Sequence, residues 1–384
     1  MTGHFELTEA HHEHREEVRQ FCEAEIDPHV ETHESEGTFP FEIVEKVGEA
    51  GFNGVQYGTE YNGLGLDYRS YAVTIEELAR SWKFLAGTAS ICGSLVGYPI
   101  HEFGAEWQRE EWLGSICAGD WIPALSLTEP DAGSDAAALE TTAARDGDEY
   151  VIDGHKVWTT NGEVADFVVV AARTGDEDEG AGGVSLIGVP NPQERDGFEV
   201  VRDIPSMEGE AAIESEIKYD GLRVPVENVI GEEGRGFRYV MEGLDIGRIG
   251  TAAQGVGVAQ AAFEASRDFA DEREQFGQPI REFQGVSFKL ADMATEVQAS
   301  RLLTLQAAAK RDQGERVTQE AAMAKAKATD VAMDAATEAV QIHGSRGYSK
   351  DRPIERYMRV AKGMQIYEGT NEINRLVVAN QLYE

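Results

Sequence analysis

The residues best suited to chemistry lie near the C-terminus, in the stretch QIYEGTNE from Gln365 to Glu372. Glu368 precedes Gly369 on a turn, and Thr370 and Asn371 are residue types that begin helices. A carboxylate on a turn that the following helix anchors can be held at a fixed angle over a ligand, which is what a general base requires. A solvent-exposed glutamate without a catalytic role would show the same sequence pattern beside a turn and is more common.

Two earlier stretches combine small residues, hydroxyls and an aromatic ring. The first, LSLTEPDAGSD from Leu125 to Asp135, follows a strand-like run and carries hydroxyls at Thr128 and Ser134, which with turn N–H groups can bind a heterocycle or a phosphate. The second is KVWTTNG, residues 156–162, in which a Trp beside threonines can flank a planar ring. An ordinary serine turn and a hairpin with a core Trp fit the same patterns.

The charge balance of the chain is strongly acidic. Its 384 residues include 34 Lys plus Arg against 70 Asp plus Glu, a net charge of −36. Such a surface repels nucleic acid and anionic membranes, so neither is expected as a partner. The excess, with few lysines, is typical of proteins that work in concentrated salt, which screens self-repulsion. An acidic protein that uses its charge for solubility is the alternative.

The cysteines and apolar runs indicate a soluble cytoplasmic protein. Cys22, Cys92 and Cys117 show no ligand spacing, so we expect buried thiols in a reducing compartment and no metal site. The N-terminus does not resemble a signal peptide. The longest clean apolar runs, such as residues 167–172, have strand length and cannot span a bilayer.

Periodicity along the chain predicts three domains. Residues 1–119 are helical in pattern, with Asp67 as the cap of one helix; residues 120–232 show strand periodicity; and residues 233–384 are helical again. Strand-like runs occur at 151–152, 167–171, 184–189 and 198–201. In the last domain Val286, Leu290, Met293 and Val297 form a helical apolar stripe. The sequence therefore predicts an α+β protein with a β domain between two helical ones.

A nucleotide-binding fingerprint is incomplete. Gly255-Val256-Gly257 begins like G-x-G-x-x-G, but Gln260 holds the last position and no strand precedes it. The segment lies in a helical pattern, so these glycines are predicted to let helices approach closely, and a nicotinamide-binding Rossmann unit is not expected.

Taken in order, LTEPDAGSD, KVWTTNG, REQFG, QIHG and QIYEGTNEI resemble the acyl-CoA dehydrogenase family over essentially the whole chain. The resemblance implies that family's fold, with an N-terminal helical domain, a middle β domain and a C-terminal four-helix bundle. It also implies FAD bound between the last two domains, and a homotetramer.

The resemblance assigns cofactor-binding roles to the matching motifs. Along the flavin it implies Leu125, Leu127, Thr128, Gly133, Ser134, Trp158, Thr159 and Thr160, with Trp158 against the ring system, Thr160 near N5 and Ser134 also near CoA. A second group meets the pyrophosphate and adenosine of FAD bound mainly to a neighbouring subunit: Arg273, Gln275, Phe276, Phe283, Gln284, Gln341, Ile342, Gly344 and Ser345. Thr370 and Glu372 close over the cofactor.

The resemblance also assigns the reaction. Glu368 stands where most members keep the base that removes the α-proton of an acyl-CoA, and β-hydride passes to flavin N5, giving trans-2-enoyl-CoA. The Glu368 N–H and the ribityl 2′-hydroxyl stabilise the thioester oxygen, as the weak acidity of the α-hydrogen requires. Asp245, Arg248, Tyr367 and Gly369 are the implied substrate contacts. Burial under substrate is expected to raise the pKa of Glu368.

The residue at position 247 indicates which type of acyl-CoA dehydrogenase the chain resembles. Some members carry the base at the position of Gly247, which cannot serve, so Glu368 indicates the straight-chain or short branched-chain type. Ser345 and Val360 depart from the usual motifs, at a glycine and an acidic position respectively. Small residues (Cys92, Gly93, Ser94 and Gly97) suggest room at the end of the acyl pocket.

The implied electron acceptor is an electron-transfer flavoprotein. An acyl-CoA oxidase is an alternative, although oxidases usually carry a further C-terminal domain. A non-catalytic flavin-binding relative is the other alternative, which the presence of Glu368 disfavours.

Overall fold

The computed structural model describes residues 5–175, 177–209 and 211–383. The first third is helical. Its helices are α1 (Glu9–Phe21), α2 (Val30–Glu36), α3 (Phe41–Glu49), α4 (Tyr68–Ser90), α5 (Gly97–Phe103), α6 (Glu106–Gln108) and α7 (Gly114–Ala118), and π-helical turns extend three of them at Cys22–Ile26, Ile91–Val96 and Arg109–Leu113.

Helix α4 is the centre of this helical unit. Asp67 caps it by accepting a hydrogen bond from the Ser70 N–H at 2.8 Å, which confirms the predicted cap. Ile75 and Leu78 are fully buried on its inner face. The helix is interrupted at Trp82, whose φ of −146° and ψ of 106° lie outside the helical region, so the helix is kinked there.

A seven-stranded sheet follows. Its strands are β1 (Pro123–Ser126), β2 (Thr142–Asp146), β3 (Glu149–Thr160), β4 (Phe167–Arg173), β5 (Val184–Pro190), β6 (Phe198–Asp203) and β7 (Glu214–Pro225). The long hairpin-like pairs β2–β3, β3–β7, β6–β7 and β4–β5 are antiparallel, while β1 runs parallel to β4. All four strand-like runs of the sequence lie in strands, and β4 is buried at every position.

The last third is a bundle of long helices. It contains α8 (Gly236–Glu272), a small hairpin of β8 (Glu274–Gln275) and β9 (Gln278–Pro279), α9 (Gln284–Asp312), α10 (Thr318–His343), α11 (Ile354–Met364) and α12 (Asn371–Gln381). A Cβ at Gly255 would lie 2.9 Å from the Ala328 backbone carbonyl of α10, and a Cβ at Gly257 would lie 2.3 Å from the backbone carbonyl oxygen of Glu76 in α4. The glycines therefore serve close helix packing, as predicted.

Three further expectations concern the cysteines, membrane-spanning helices and metal sites. The cysteines Cys22, Cys92 and Cys117 are buried and free, as expected. Within the described part of the chain, no helix combines the length and apolarity that crossing a bilayer needs. In the same residues no group of three His, Cys, Asp or Glu side chains is arranged to hold a metal ion.

Candidate active site

Glu368 lies in the short turn between α11 and α12, in a conformation that side chains rarely adopt. Its φ is +57° and that of Gly369 is +83°, so two successive residues are left-handed. Thr370 then caps α12 by accepting a hydrogen bond from the Ile373 N–H at 3.2 Å, which confirms the predicted helix start at Asn371. Such local strain persists only where the surrounding structure imposes it, and it is common at functional sites.

The Glu368 carboxylate is pressed against the backbone of α8. A Cβ at Gly247 would lie 2.6 Å from both carboxylate oxygens, so the carboxylate fills the space that any side chain at 247 needs. Its Oε2 atom is buried and has no hydrogen-bond partner within the described residues. Burial raises the pKa of Glu368 to about 7, although Arg248 and Lys325 act in the opposite direction. The group is therefore poised to accept a proton near neutral pH.

A buried lysine holds the turn from behind. Lys325 of α10 has no exposed surface and donates to the Gly369 carbonyl at 2.7 Å and to Asn371 Oδ1 at 3.0 Å. Asn374 Nδ2 donates to the same carbonyl at 2.8 Å. Burial lowers the pKa of Lys325 to about 7, against the raising effect of Glu368. Sequence reasoning missed this residue, because a lysine in an alanine-rich helix carries no signal of burial.

The β domain presents an exposed aromatic ring. The pairing of β3 with β7 shifts register between Lys156 and Thr159, and at this bulge Trp158 has a φ of +59° and is 52% exposed. Thr160, at the end of β3, is half-buried and donates to Glu214 Oε2 at 3.0 Å. Among the described residues, the left-handed positions other than Gly and Asn are Trp158, Phe276 and Glu368, all predicted site residues.

The loop after β1 is fixed by a buried ion pair. Lys156 has no exposed surface and donates to Glu129 Oε1 at 2.8 Å and to the Leu127 carbonyl at 2.9 Å. Glu129 also accepts hydrogen bonds from the N–H groups of Glu140 and Thr141. These contacts leave Gly133 and Ser134 exposed, with no atom within 4 Å of a Cβ at Gly133. The loop is thus rigid and still open to a ligand.

We expect Lys156→Met to destabilise the fold by about 3–5 kcal/mol, since it leaves the Glu129 carboxylate buried without its cation. Urea unfolding followed by circular dichroism measures this. Lys218→Met is the matched control, because Lys218 pairs with Asp220 on the surface of β7, where both side chains are at least half exposed. A loss no larger than that of the control would show that the Lys156 pair does not hold the loop.

Of the predicted flavin contacts, Thr159 is placed differently from the others. Its side chain is fully buried and its hydroxyl shares a 3.0 Å hydrogen bond with that of Ser126, which also accepts from Tyr219 at 2.8 Å. This hydroxyl belongs to the sheet interior, because alternate residues of a strand face opposite sides. Only the backbone of Thr159 remains for a ligand. Leu125, Leu127 and Thr128 are half-buried.

The second group of predicted cofactor residues lies at the far end of the bundle. Arg273, the residue directly after α8, follows Gly247 by 26 positions, about 39 Å along the helix axis at 1.5 Å per residue. His343 stacks on Phe269 at 4.4 Å between ring centroids, so the Gln341 to Ser345 segment lies at the same end. Phe276 in the β8–β9 turn is 96% exposed, and its ring is 6.1 Å from that of Phe283. The structure therefore brings these residues together, away from the base of their own chain.

A cavity of about 670 Å³ opens beside the first turns of α8. It contains the predicted pair Asp245 and Arg248, joined by a 2.9 Å hydrogen bond, and Thr318 donates to the other Asp245 oxygen. Sequence reasoning missed the rest of its basic lining, since the arginines are scattered over two helices and a loop. The four arginines of the lining are Arg238, Arg248, Arg311 and Arg316. In so acidic a chain, this concentration of arginine suits a phosphorylated ligand.

The residues of the β domain fit a flavin. The exposed ring of Trp158 and the open backbone and hydroxyl groups around Gly133 form a polar and aromatic surface. Asn161, which follows Thr160, has a buried side-chain amide without a partner within the described residues. A planar heterocycle meets such a surface with its face and its edge. The cofactor would thus lie between this surface and the turn of Glu368.

Comparison with known proteins accounts for this arrangement. Residues 8–120, 124–221 and 234–383 match the N-terminal, middle and C-terminal domains of acyl-CoA dehydrogenase, respectively. A probable acyl-CoA dehydrogenase of Bacillus subtilis is 42% identical over 378 residues, 98% of this chain and 99% of the relative. The rat mitochondrial short-chain specific acyl-CoA dehydrogenase is 39% identical over 98% of this chain and 91% of its own.

Solved structures agree over the full length. Butyryl-CoA dehydrogenase of Megasphaera elsdenii superposes with a TM-score of 0.93 at 37% identity, covering 99% of both chains. A chain in the structure of the electron transferring flavoprotein of Acidaminococcus fermentans superposes with a TM-score of 0.96 at 42% identity, again over 99% of both. The predicted fold is confirmed, and the chain belongs to the acyl-CoA dehydrogenase family of FAD-dependent oxidoreductases.

Proposed function

We propose that the protein dehydrogenates a short straight-chain or branched-chain acyl-CoA to its trans-2-enoyl-CoA, with Glu368 as the base. The observation that carries this proposal is the Glu368 carboxylate, held in a left-handed turn against Gly247 with one buried oxygen free of hydrogen bonds. Bound FAD supplies the hydride acceptor. The short-chain and butyryl-CoA specificities of the similar proteins support the acyl class.

The chain's own groups act on the α-proton and the thioester oxygen. Glu368 in its ionised form takes the α-proton, and its raised pKa makes the proton transfer less uphill than a carboxylate of ordinary pKa would. Within the described residues the Glu368 N–H donates no hydrogen bond, so it is free to donate to the thioester oxygen as negative charge develops there. Trp158, Thr160 and the loop around Gly133 orient the cofactor.

The arginine-lined cavity is the proposed binding site of the CoA portion. It begins at Arg248, the residue next to Gly247, and extends to Arg238, Arg311 and Arg316. A guanidinium group can bind two phosphate oxygens at once through its parallel N–H donors, which suits the phosphates of CoA. Binding there places the thioester end of the substrate at the Glu368 carboxylate.

We further propose a homotetramer in which the exposed groups around Phe276 and Gln341 complete the FAD site of a neighbouring subunit. Gly247 and Arg273 lie about 39 Å apart along the axis of α8, so one FAD molecule in contact with both residues of the same chain would have to extend along most of the helix. This distance supports an FAD site that two subunits complete. An electron-transfer flavoprotein is the proposed acceptor. The net charge of −36 supports a role in concentrated salt.

Anaerobic titration of the purified flavoprotein, in concentrated salt, tests the proposed function. We expect butyryl-CoA to bleach the flavin absorbance and to yield one crotonyl-CoA per flavin reduced, since each substrate molecule loses one α-proton to the base and one β-hydride to the flavin. Isobutyryl-CoA titrated in parallel separates straight-chain from branched preference. Bound flavin that no acyl-CoA bleaches would leave the non-catalytic alternative, and rapid reoxidation by air after bleaching would favour an oxidase.

A further inference from the structure

The face of α8 that carries Gly247 also shows where an acyl chain must run. Gln254 lies seven residues after Gly247, about 10 Å further along the axis, and accepts a hydrogen bond from the Tyr367 hydroxyl at 3.2 Å. The arginine-lined cavity lies on the opposite side of Gly247, around Met241 and Asp245. A substrate whose CoA portion occupies that cavity therefore directs its acyl chain past Glu368 towards Tyr367 and Gln254.

Two charged side chains stand at the end of this path. Lys83, directly after the interruption of α4 at Trp82, is only 7% exposed, and its Nζ lies 4.9 Å from the centre of the Tyr367 ring. It forms an ion pair with Glu208, which comes from the connection between β6 and β7. Burial lowers the pKa of Lys83, but Glu208 and Tyr367 outweigh it and the pKa is raised. Lys83 therefore stays charged inside the protein.

Behind the pair there is almost no space. The cavity that Lys83 and Glu208 share with Trp82, Val258 and Tyr357 has a volume of about 10 Å³, at the lower limit for one water molecule. The predicted room beside α5 is also absent at two of the four small residues. A Cβ at Gly93 would lie 2.8 Å from the Tyr71 ring, and one at Gly97 would lie 3.0 Å from Tyr57.

We propose that the Lys83–Glu208 ion pair is the end wall of the acyl site and limits the enzyme to short acyl groups. This inference rests on the proposed function. A longer hydrocarbon chain can pass only by separating the pair, which leaves both charges buried and uncompensated. Neither residue touches the reacting atoms, so the wall acts on chain length and leaves the chemistry at Glu368 unchanged.

The test compares butyryl-CoA, hexanoyl-CoA and octanoyl-CoA as substrates of the FAD-bound enzyme. For the wild type we expect kcat/KM to fall at least about 10-fold from butyryl-CoA to octanoyl-CoA, the discrimination that a closed pocket gives. Lys83→Ala with Glu208→Ala removes both charges together and leaves the volume of the two side chains open to a longer acyl chain. This double variant is expected to gain about 10-fold in kcat/KM for octanoyl-CoA, with a smaller change for butyryl-CoA.

Two controls separate size from charge. Lys83→Met with Glu208→Gln keeps the volume of the pair and is expected to keep the length limit. Lys289→Ala with Glu338→Ala removes a more exposed ion pair between α9 and α10 that lines neither cavity, and is expected to leave the chain-length profile unchanged. Octanoyl-CoA affinity, measured by calorimetry in a Glu368→Gln background, should rise only when the wall is opened.

The outcomes distinguish this inference from the proposed function. If no acyl-CoA bleaches the flavin, the proposed function fails and the wall has no substrate to limit. If butyryl-CoA bleaches it and the wild type processes octanoyl-CoA equally well, only the wall is wrong. The wild-type profile decides this even if the opened variant does not fold, and an opened, folded variant with an unchanged profile also overturns the wall.

Discussion

Replacement of Glu368 by Gln should abolish flavin bleaching by butyryl-CoA while FAD and the substrate remain bound. Gln has the size of Glu but cannot take a proton, and loss of a positioned general base costs about 10²–10⁴-fold in rate. Because the carboxylate contacts the backbone at Gly247 and its Oε2 atom has no hydrogen-bond partner among the described residues, a neutral group of the same shape fits the same space. Stopped-flow absorbance under anaerobic conditions measures the rate.

The control for this variant is Glu296→Gln, an exposed carboxylate on α9 that pairs with Lys327. Its bleaching rate should equal that of the wild type. Bleaching by Glu368→Gln within a factor of about 3 of the wild-type rate, too small for the loss of a base, would mean that another group removes the α-proton.

The same substitution should change how stability depends on pH. The pKa of Glu368 is about 7 in the folded protein and 4.5 in the unfolded chain, so the native state binds the extra proton between these values. Stability from this group is fully present below pH 4.5 and is lost as pH rises through 7. Glu368→Gln removes that loss. Its melting temperature relative to the wild type should therefore be higher at pH 8 than at pH 5, and an equal difference at both would contradict the buried, raised-pKa carboxylate.

Local chemistry predicted two helix starts and four of the seven strands of the main sheet from the sequence. Asp67 and Thr370 both cap helices through the hydrogen bonds that their residue types favour. The runs at 167–171 and 184–189 form strands β4 and β5, because short, mainly apolar runs suit a sheet that is covered on both faces. These features depend on neighbours in sequence, so a single sequence suffices to find them.

The site depends on contacts that no local pattern contains. Lys325 and Lys83 are buried lysines, the opposite of the usual placement, and Glu208 lies 125 positions after its partner Lys83. The left-handed backbone of Trp158 and Glu368 is likewise imposed by the folded protein, since bulky residues do not choose it. Motif order located these two residues, but only the fold shows that both are strained, and that Thr159 between Trp158 and Thr160 faces the core.

The contact between Gly247 and Glu368 leads to the most specific prediction about the site. Gly247→Ala should lower the rate of flavin bleaching about 100-fold, the loss that a displacement of about 1 Å can cause. The added Cβ would stand 2.6 Å from both carboxylate oxygens, closer than any real contact, so the carboxylate must turn away from the α-carbon of the substrate. The FAD content and the affinity for butyryl-CoA should change little, because the cofactor surface and the arginine-lined cavity are untouched.

Gly243→Ala separates this effect from a general change in α8. Gly243 lies one turn earlier, where a Cβ would lie 3.4 Å from the Ser94 carbonyl oxygen, an ordinary contact. Both substitutions favour the helix by about 0.5–1 kcal/mol, so neither should melt at a markedly lower temperature, and only Gly247→Ala should lose rate. If both variants bleach at the wild-type rate, the carboxylate does not act from the position that the structure gives it. If Gly247→Ala alone is slow, the Glu368 turn and the absence of a side chain at Gly247 on α8 together set the position of the base.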